Sequence, residues 1–599
     1  MSHTNPIEIY SSRIDKLTAE RTVLIKQKSF VSWGRLAAIV LALAVVYFLQ
    51  GRNLEFAIGL ALICIAAFFR LVVIAINTGK KIDNCNRLIA INEQEIKTAK
   101  GQYSGLPNGS NFLPSLHAYA NDLDIFGRAS LYQFINRTAA EQGGTTLANW
   151  LLQAAETDTI LQRQEAAKEL QPQYEWRQQL QAHGHAEPVT IATQQKIKAW
   201  LQTEDRFFTS AIWQTVRFIG PAIIITITVL YAGDYIETKW FNLSLLVFFL
   251  ITGLISKKTT PTYNTLNKIA PEISTLSNSI RHIENQSFKS EWLVQNQQQF
   301  TDGTIKASVN VKTLNGILSR LDIRLNPVAF IPLNILLFWD LQQMLSFEKW
   351  KKANKDKIMN WFNALGKMEA MNSIATVAFN HPDWIFPQIA AEHGTFTATA
   401  LGHPLIAAEK RVTSSFTAEG LGKIAIITGS NMAGKSTFLR STGLGLVMGM
   451  AGMPVCAVAA KFSRMPVIST MRISDNLEES TSTFYAELKK LKEIIDAVNR
   501  KEKIFLLLDE ILRGTNSLDR HTGSKALIKQ LIKQQACGII ATHDLELAKL
   551  VKDYPANVHN YHFDVQVANE ELYFDYKLKE GICQSLNASI LMKKIGIEM

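Results

Sequence analysis

IITGSNMAGKSTFLR, Ile426–Arg440, decides how the C-terminal part of this chain folds. It reads as an apolar strand, a glycine-bearing loop and the start of a helix. Gly429–Ser436 fits GxxxxGK followed by Ser or Thr, the pattern of a phosphate-binding loop. Glycines at both ends let backbone N–H groups turn inward, and the helix N-terminus adds partial positive charge. The candidate nucleotide-binding residues are Gly429, Ser430, Asn431, Met432, Ala433, Gly434, Lys435, Ser436 and Thr437. Lys435 is expected to reach the β- and γ-phosphates of ATP, and the Ser436 hydroxyl to ligate Mg²⁺.

Two later stretches converge on the same place. In KIFLLLDEILRGT the run Ile504–Leu508 is a central strand that delivers Asp509 and Glu510 to the same sheet edge. Asp509 is placed in the Mg²⁺ shell, and Glu510 polarises the attacking water. GIIATHDLELA is another buried strand and ends in His543, a candidate γ-phosphate sensor. Glu510 and His543 are therefore the candidate catalytic pair, with Ser436 and Asp509 as metal ligands.

Outside this region the chain carries two pairs of apolar segments. Leu36–Leu49 and Phe56–Ile76 form the first, Phe218–Ala232 and Phe241–Ile255 the second. Each is near the roughly 20-residue length of a bilayer span, and short turns join the members of each pair. Lys26, Lys28, Arg35, Lys80 and Lys81 flank the first pair; Arg217, Lys257 and Lys258 flank the second. The intervening turns hold only Arg52 and Lys239 as cations. The positive-inside rule then puts both termini and the ATPase domain in the cytoplasm of a multi-pass protein of the cell (inner) membrane. Arg70 lies close enough to a flank to snorkel, and no early apolar run suggests a cleaved signal peptide.

Composition agrees with an ordered chain: 599 residues, 47% hydrophobic and 19% charged, with a net charge of +11. The positive balance suits an anionic partner or the membrane bias itself. Five scattered cysteines without CxxC spacing speak against a zinc site or disulfide framework.

The fold expected is an α/β P-loop NTPase domain of the ABC ATPase type, with a mostly parallel sheet, after an all-α core and lever region carrying two transmembrane hairpins. The segments are a cytoplasmic N-terminal helix (1–34), hairpin 1 (35–77), a helical segment (78–205), hairpin 2 (206–257), a helical core and lever (258–394) and the ATPase domain (395–599). LNPVAFIP, residues 325–332, is expected to break the helical pattern at its two prolines.

TGSNMAGKSTFLR, STSTFYAELKKL (Ser480–Leu491), LLLDEILRGTNSLD and ATHDLELA together resemble the ATPase domain of the MutS family. GHPLI (Gly402–Ile406), the stretch Asp122–Leu152 and the C-terminal tail are similar to that family more loosely. The resemblance implies an Mg²⁺-dependent ATPase working as a homodimer. Ser482, Thr483 and Phe484 would complete the partner's site as a trans signature, and Asp519 would lie in the loop coupling the two sites. Ser430 and Ala433 depart from the family's usual Pro and Gly. Nothing before residue 110 resembles a mismatch-recognition domain, so mismatch specificity is not expected. Besides the bilayer, the sequence leaves two partners open: DNA held near the membrane and a membrane-associated protein. The alternatives are an ABC-type transporter subunit, though no LSGGQ-like segment precedes LLLDE, and a membrane scaffold with an ATP-dependent assembly switch.

Overall fold

The computed structural model describes residues 5–49, 54–203, 206–301, 305–430, 433–471, 483–568 and 571–583. Its first half is helical. α1 (Pro6–Leu49) and α2 (Leu54–Ala99) run for 44 and 46 residues and lie side by side. Both continue as single helices from the apolar segment into polar sequence. Six shorter helices follow: α3 (Leu131–Ile135), α4 (Glu141–Leu152), α5 (Thr157–Leu170), α6 (Tyr174–Gly184), α7 (Ile191–Gln202) and α8 (Arg206–Thr209). α9 (Ala211–Ala232) and α10 (Thr238–Asn267) form the second apolar pair. Among the described residues α1, α2, α9 and α10 are long and apolar enough to cross a membrane. Their apolar side chains are largely uncovered, Trp33, Phe48, Ile63, Phe218 and Leu254 among them.

The stretch expected to form the core and lever holds α11 (Ala270–Glu284), α12 (Glu291–Gln298), α13 (Ala307–Leu321), α14 (Pro327–Leu337), α15 (Trp339–Asn354) and α16 (Ile358–Asn380). α14 corrects the expected break across LNPVAFIP. Pro327 opens the helix, where its missing N–H costs nothing and its fixed φ suits the first turn. The Asn326 side chain caps that turn by accepting from the Ala329 amide. Pro332 is carried inside the helix.

Two sheets make up the rest. β1 (Gln388–Ala390), β2 (Phe396–Leu401), β3 (Ser414–Ala418) and β5 (Ala459–Ser463) form a mixed four-stranded sheet in the order β1-β5-β2-β3. Its first strand starts a few residues before the change of texture at Thr395. The larger sheet has the order β10-β9-β4-β8-β7-β6. Its strands are β4 (Ile424–Thr428), β6 (Val467–Thr470), β7 (Phe505–Asp509), β8 (Cys537–Thr542), β9 (Val558–Ala568) and β10 (Glu571–Glu580). All pairings are parallel except that of the edge strand β10.

α17 (Lys435–Ala451) covers one face of the larger sheet; α18 (Thr483–Asn499), α19 (Ser517–Lys533) and the short α20 (Leu550–Asp553) complete the domain. β7 shows why its sequence is a continuous apolar run. Phe505 and Leu507 enter the core shared with α17 and the helical body. Leu506 and Leu508 enter a second core with Leu491 and Ile494 of α18 and Ile528 of α19. A strand covered on both faces has no polar side to show.

Candidate nucleotide site

The site is built where parallel strands end together. β4 lies between β8 and β9, and β7 lies beside β8. The chain leaves β4 through Gly429, at φ 145°, and enters α17 through Gly434, at φ 111°. Both values lie in the region open to glycine. A Cβ on Gly429 would also come within 2.8 Å of the Phe563 carbonyl oxygen. The loop can therefore hug β9 only with glycine at that point.

Lys435 is buried, and its ammonium donates to the carbonyls of Gly429 and Ser430 at 2.6 and 3.0 Å. Burial lowers its pKa, while the nearby Glu510 and Asp509 carboxylates oppose that shift. The charge is thus held inside the loop by carbonyl oxygens and two acids. From Ser436 in the first turn of α17, the hydroxyl donates to Asp509 Oδ2 at 2.6 Å. A hydroxyl and a carboxylate at that spacing form a donor set of the kind a hard divalent cation takes. Among the described residues no group of three or more His, Cys, Asp or Glu side chains can hold a metal ion. A cation at Ser436 and Asp509 would need further oxygens from a phosphate, as Mg²⁺ commonly does.

Glu510 follows β7 in the left-handed region, at φ 53°. A non-glycine residue there carries backbone strain, held here by its amide donating to the Ala541 carbonyl of β8 at 2.9 Å. That turn aims the carboxylate between His543 and Arg513. His543 Nδ1 lies 3.3 Å from Oε1, and Arg513 Nε lies 3.4 Å from Oε2. A carboxylate in this setting can accept a proton from water, with the imidazole close enough to share hydrogen bonding.

Beside them is a cavity of about 680 Å³, a size that suits a nucleotide. Ser430, Gly434, Lys435, Ser436, Thr437, Asp509 and Glu510 all line it. His543 is not among its lining residues and lines a small recess with Glu510 and Arg513 instead. Ala433 is fully buried beneath the loop. Asn431, Met432 and Ser482 lie outside the described residues, as does the side chain of Thr483. Phe484 stays close to its own chain: a Cβ on Gly514 would meet the Phe484 Cβ at 2.6 Å. Asp519 is not among the cavity-lining residues. It sits in the first turn of α19, where its amide donates to Asn516 Oδ1 at 2.9 Å and its Oδ2 accepts from Asn516 Nδ2 at 2.7 Å. That reciprocal cap fixes the start of the helix.

Four residues given no role from the sequence belong to this site. Arg513 donates to the Asp509 and Glu510 carbonyls at 2.7 and 3.0 Å, tying the acidic pair into its turn. The buried Glu487 of α18 accepts from the Leu512 and Arg513 amides and holds that turn from the other side. Tyr576 reaches the cavity from β10. His403 lines it too, its pKa lowered to about 4 by burial and then by Arg440 and Arg411, so the ring is neutral. Arg513 stands in DEILRGT, Glu487 in STSTFYAELKKL and His403 in GHPLI, so three of the four lie within the family-like stretches. Glu487 is fixed by a contact 25 positions away.

Residues 425–594 match the model of the family domain described as MutS domain V. The chain is 37% identical over 206 residues to human MutS protein homolog 4, which covers 32% of this chain and 22% of that protein. It is 28% identical over 256 residues to DNA mismatch repair protein MutS of Thermotoga sp. (strain RQ2), covering 41% of this chain and 31% of the relative. With the same-named protein of Aquifex pyrophilus it shares 31% over 238 residues, or 38% and 26% of the two chains. The matched part thus spans between about a fifth and a third of these relatives' length. Over this module the chain is MutS-like: a MutS domain V of the P-loop ATPase type, with mixed sheets, following a large helical N-terminal region.

Proposed function

We propose that this chain is a membrane-anchored MutS-type ATPase that couples ATP binding and hydrolysis to closing and reopening of a homodimer. The observation that carries the chemistry is the convergence of Lys435, the Ser436–Asp509 pair and Glu510 on one cavity, with His543 Nδ1 3.3 Å from the Glu510 carboxylate behind it. Lys435 binds the β- and γ-phosphates once it leaves the Gly429 and Ser430 carbonyls. Ser436 and Asp509 hold Mg²⁺, which supplies charge neutralisation on the phosphates when bound. Glu510 takes a proton from the attacking water, and His543 senses the γ-phosphate from the adjacent strand end. Ser482, Thr483 and Phe484 complete the site of the second copy, and Asp519 belongs to the coupling loop.

Four helices of membrane-crossing length with largely uncovered apolar surfaces support the anchoring. The flanking lysines and arginines favour a cytoplasmic ATPase domain and a location in the cell (inner) membrane. DNA is the partner that the relatives' names suggest, without specificity for mismatches. What the two hairpins attach to the motor is either that DNA or a membrane-associated protein.

Glu510→Gln in the full chain, purified in detergent, tests the chemistry. Turnover is expected to fall by about 100-fold or more, with ATP retained and dimer accumulating on size-exclusion chromatography. Unchanged turnover by this variant overturns the role of Glu510. Binding to duplex DNA across salt concentrations tests the partner: phosphate contacts require affinity to fall as salt rises.

A further inference from the structure

α14 has a surface that the body of the protein does not cover. From Pro327 to Leu337 it contains no charged residue. Its outer side exposes Val328 at 85% and Ile331 at 44%, with Pro332 beside them. This is the i, i+3, i+4 spacing of one helix face.

An adjoining side is clamped to the second hairpin. Asn334, buried, donates to Ser256 Oγ at 3.0 Å and accepts from the Asp340 amide at 3.1 Å. Ser256 in turn donates to Asp340 Oδ2 at 2.6 Å. At Phe338, with φ 50°, the chain bends by 75° into α15. The Phe338 ring is buried against α10 and α9. It stands 5.7 Å from the Phe248 ring, and a Cβ on Gly220 would come within 2.7 Å of it.

Those contacts give the helix a depth. Arg324, just before α14, donates to the Ser256 carbonyl and to Thr260 Oγ1, level with the Lys257–Lys258 flank. Phe248 lies nine residues before Lys257, or roughly 13 Å further along α10 at the rise of a helix. Gly220 lies three residues beyond Arg217, roughly 5 Å along α9. α14 therefore climbs past the basic flanks of the hairpin, turns at Phe338 and returns, with Gln342 donating to the Arg217 carbonyl at 2.7 Å. Its bare face is continuous in kind with the uncovered Phe218, Ile219 and Ile223 of α9. Exposed Lys349 and Lys352 follow on α15, where anionic headgroups would meet them.

We propose that α14 is a fifth membrane element, a re-entrant helix whose Val328–Ile331–Pro332 face lies among the acyl chains of the cytoplasmic leaflet. The inference rests on the reading of α9 and α10 as a transmembrane hairpin. It gives the lever region its own hold on the bilayer, just ahead of the helices that lead to the nucleotide module.

The test uses the full chain reconstituted in vesicles of zwitterionic and anionic phospholipid. A polarity-sensitive fluorophore is placed at Val328→Cys, at Leu246→Cys in α10 and at Tyr573→Cys on β10, and read against the background labelling of the unsubstituted chain. Lipids spin-labelled near the headgroup are expected to quench the label at Val328, and lipids labelled deeper in the chains to quench it less. The label at Tyr573 should respond only to a water-soluble quencher. Quenching at Leu246 without quenching at Val328 overturns the inference and leaves the hairpin in place. Loss of quenching at both removes the hairpin reading, and the inference with it. A Val328 label shielded from both lipid and aqueous quenchers means that protein, such as a second copy, covers the face, and also overturns it.

Discussion

The two apolar hairpins join the body of the protein at different places, each through a polar network around a buried acid paired with an arginine. At the base of the first, the buried Glu95 carboxylate on α2 accepts from the Arg137 guanidinium and from Asn380 Nδ2, the latter at 2.7 Å. Asn380 Oδ1 accepts from the Tyr10 hydroxyl of α1 at 2.5 Å. Beside them Asn92 and Gln178 exchange amide hydrogen bonds at 3.0 and 2.9 Å. The base of the second hairpin is held to the α13–α15 region by a network of its own, in which Ser256 joins Asp340, Asn334 and Arg324, Arg324 pairs with the buried Asp340, and Tyr263 donates to Asp322. Asn380 is the last residue of α16, and β1 begins at Gln388. The first hairpin is thus mounted on the helix that runs into the nucleotide module, while the second is mounted on helices upstream of it. Two apolar hairpins of similar composition are mounted on different parts of the body.

The largest effect should come from breaking the first mount. Glu95→Leu leaves the Arg137 guanidinium buried without its carboxylate, a change that costs about 3–5 kcal/mol. The thermal transition in detergent should fall well below that of the unsubstituted chain. Adding Arg137→Met should recover most of the loss, because the cost lies in the unpaired charge. A double variant as unstable as the single one would show that packing, not charge pairing, secures the mount.

A second buried acid, on α16, sharpens the contrast between paired and unpaired charge. Glu369 in α16 is buried and pairs with no cation among the described residues; its Oε2 accepts from the Ala139 and Ala140 amides at 3.0 and 2.8 Å. Burial raises its pKa from 4.5 to about 7, against the opposing pull of those amides. The folded state therefore binds this proton more tightly than the unfolded chain does. Its contribution is fully present below the unfolded pKa and is lost as pH rises through about 7. Stability should decline across that window by on the order of 3 kcal/mol, and Glu369→Gln should flatten the decline. An equally steep profile in the Gln variant would assign the pH dependence to other groups.

Legibility in the sequence divided along the same lines. The phosphate loop, the acidic pair and the histidine were readable because each lies at the end of a short apolar strand, and strand-to-loop order is local. What the sequence hid were pairings across distance: Glu95 with Arg137, Glu487 with the turn after Glu510, and Asn334 with Ser256. α14 was hidden for another reason. A proline breaks a helix from within but starts one from its first turn, and only the Asn326 cap beside Pro327 separates the two cases. The uncovered apolar face of α14 then follows from a helix where a loop was expected.

The smallest expected effect is also the most specific to the comparison. Tyr10→Phe removes only the hydroxyl that donates to Asn380. The ring keeps its burial and its contact with Phe379, whose centroid lies 5.6 Å away. The loss should be about 1 kcal/mol, a small fall in the unfolding midpoint. Ser256→Ala, made at the other base, removes one donor to Asp340 and one acceptor from Asn334. If the two bases transmit force differently, Tyr10→Phe should also weaken the dependence of membrane-side labelling on bound ATP at the first hairpin. Ser256→Ala should leave that dependence intact there. Equal effects of both variants on the first hairpin would mean that the helical body responds as one piece, and that the separate mounting of the hairpins does not matter to that response.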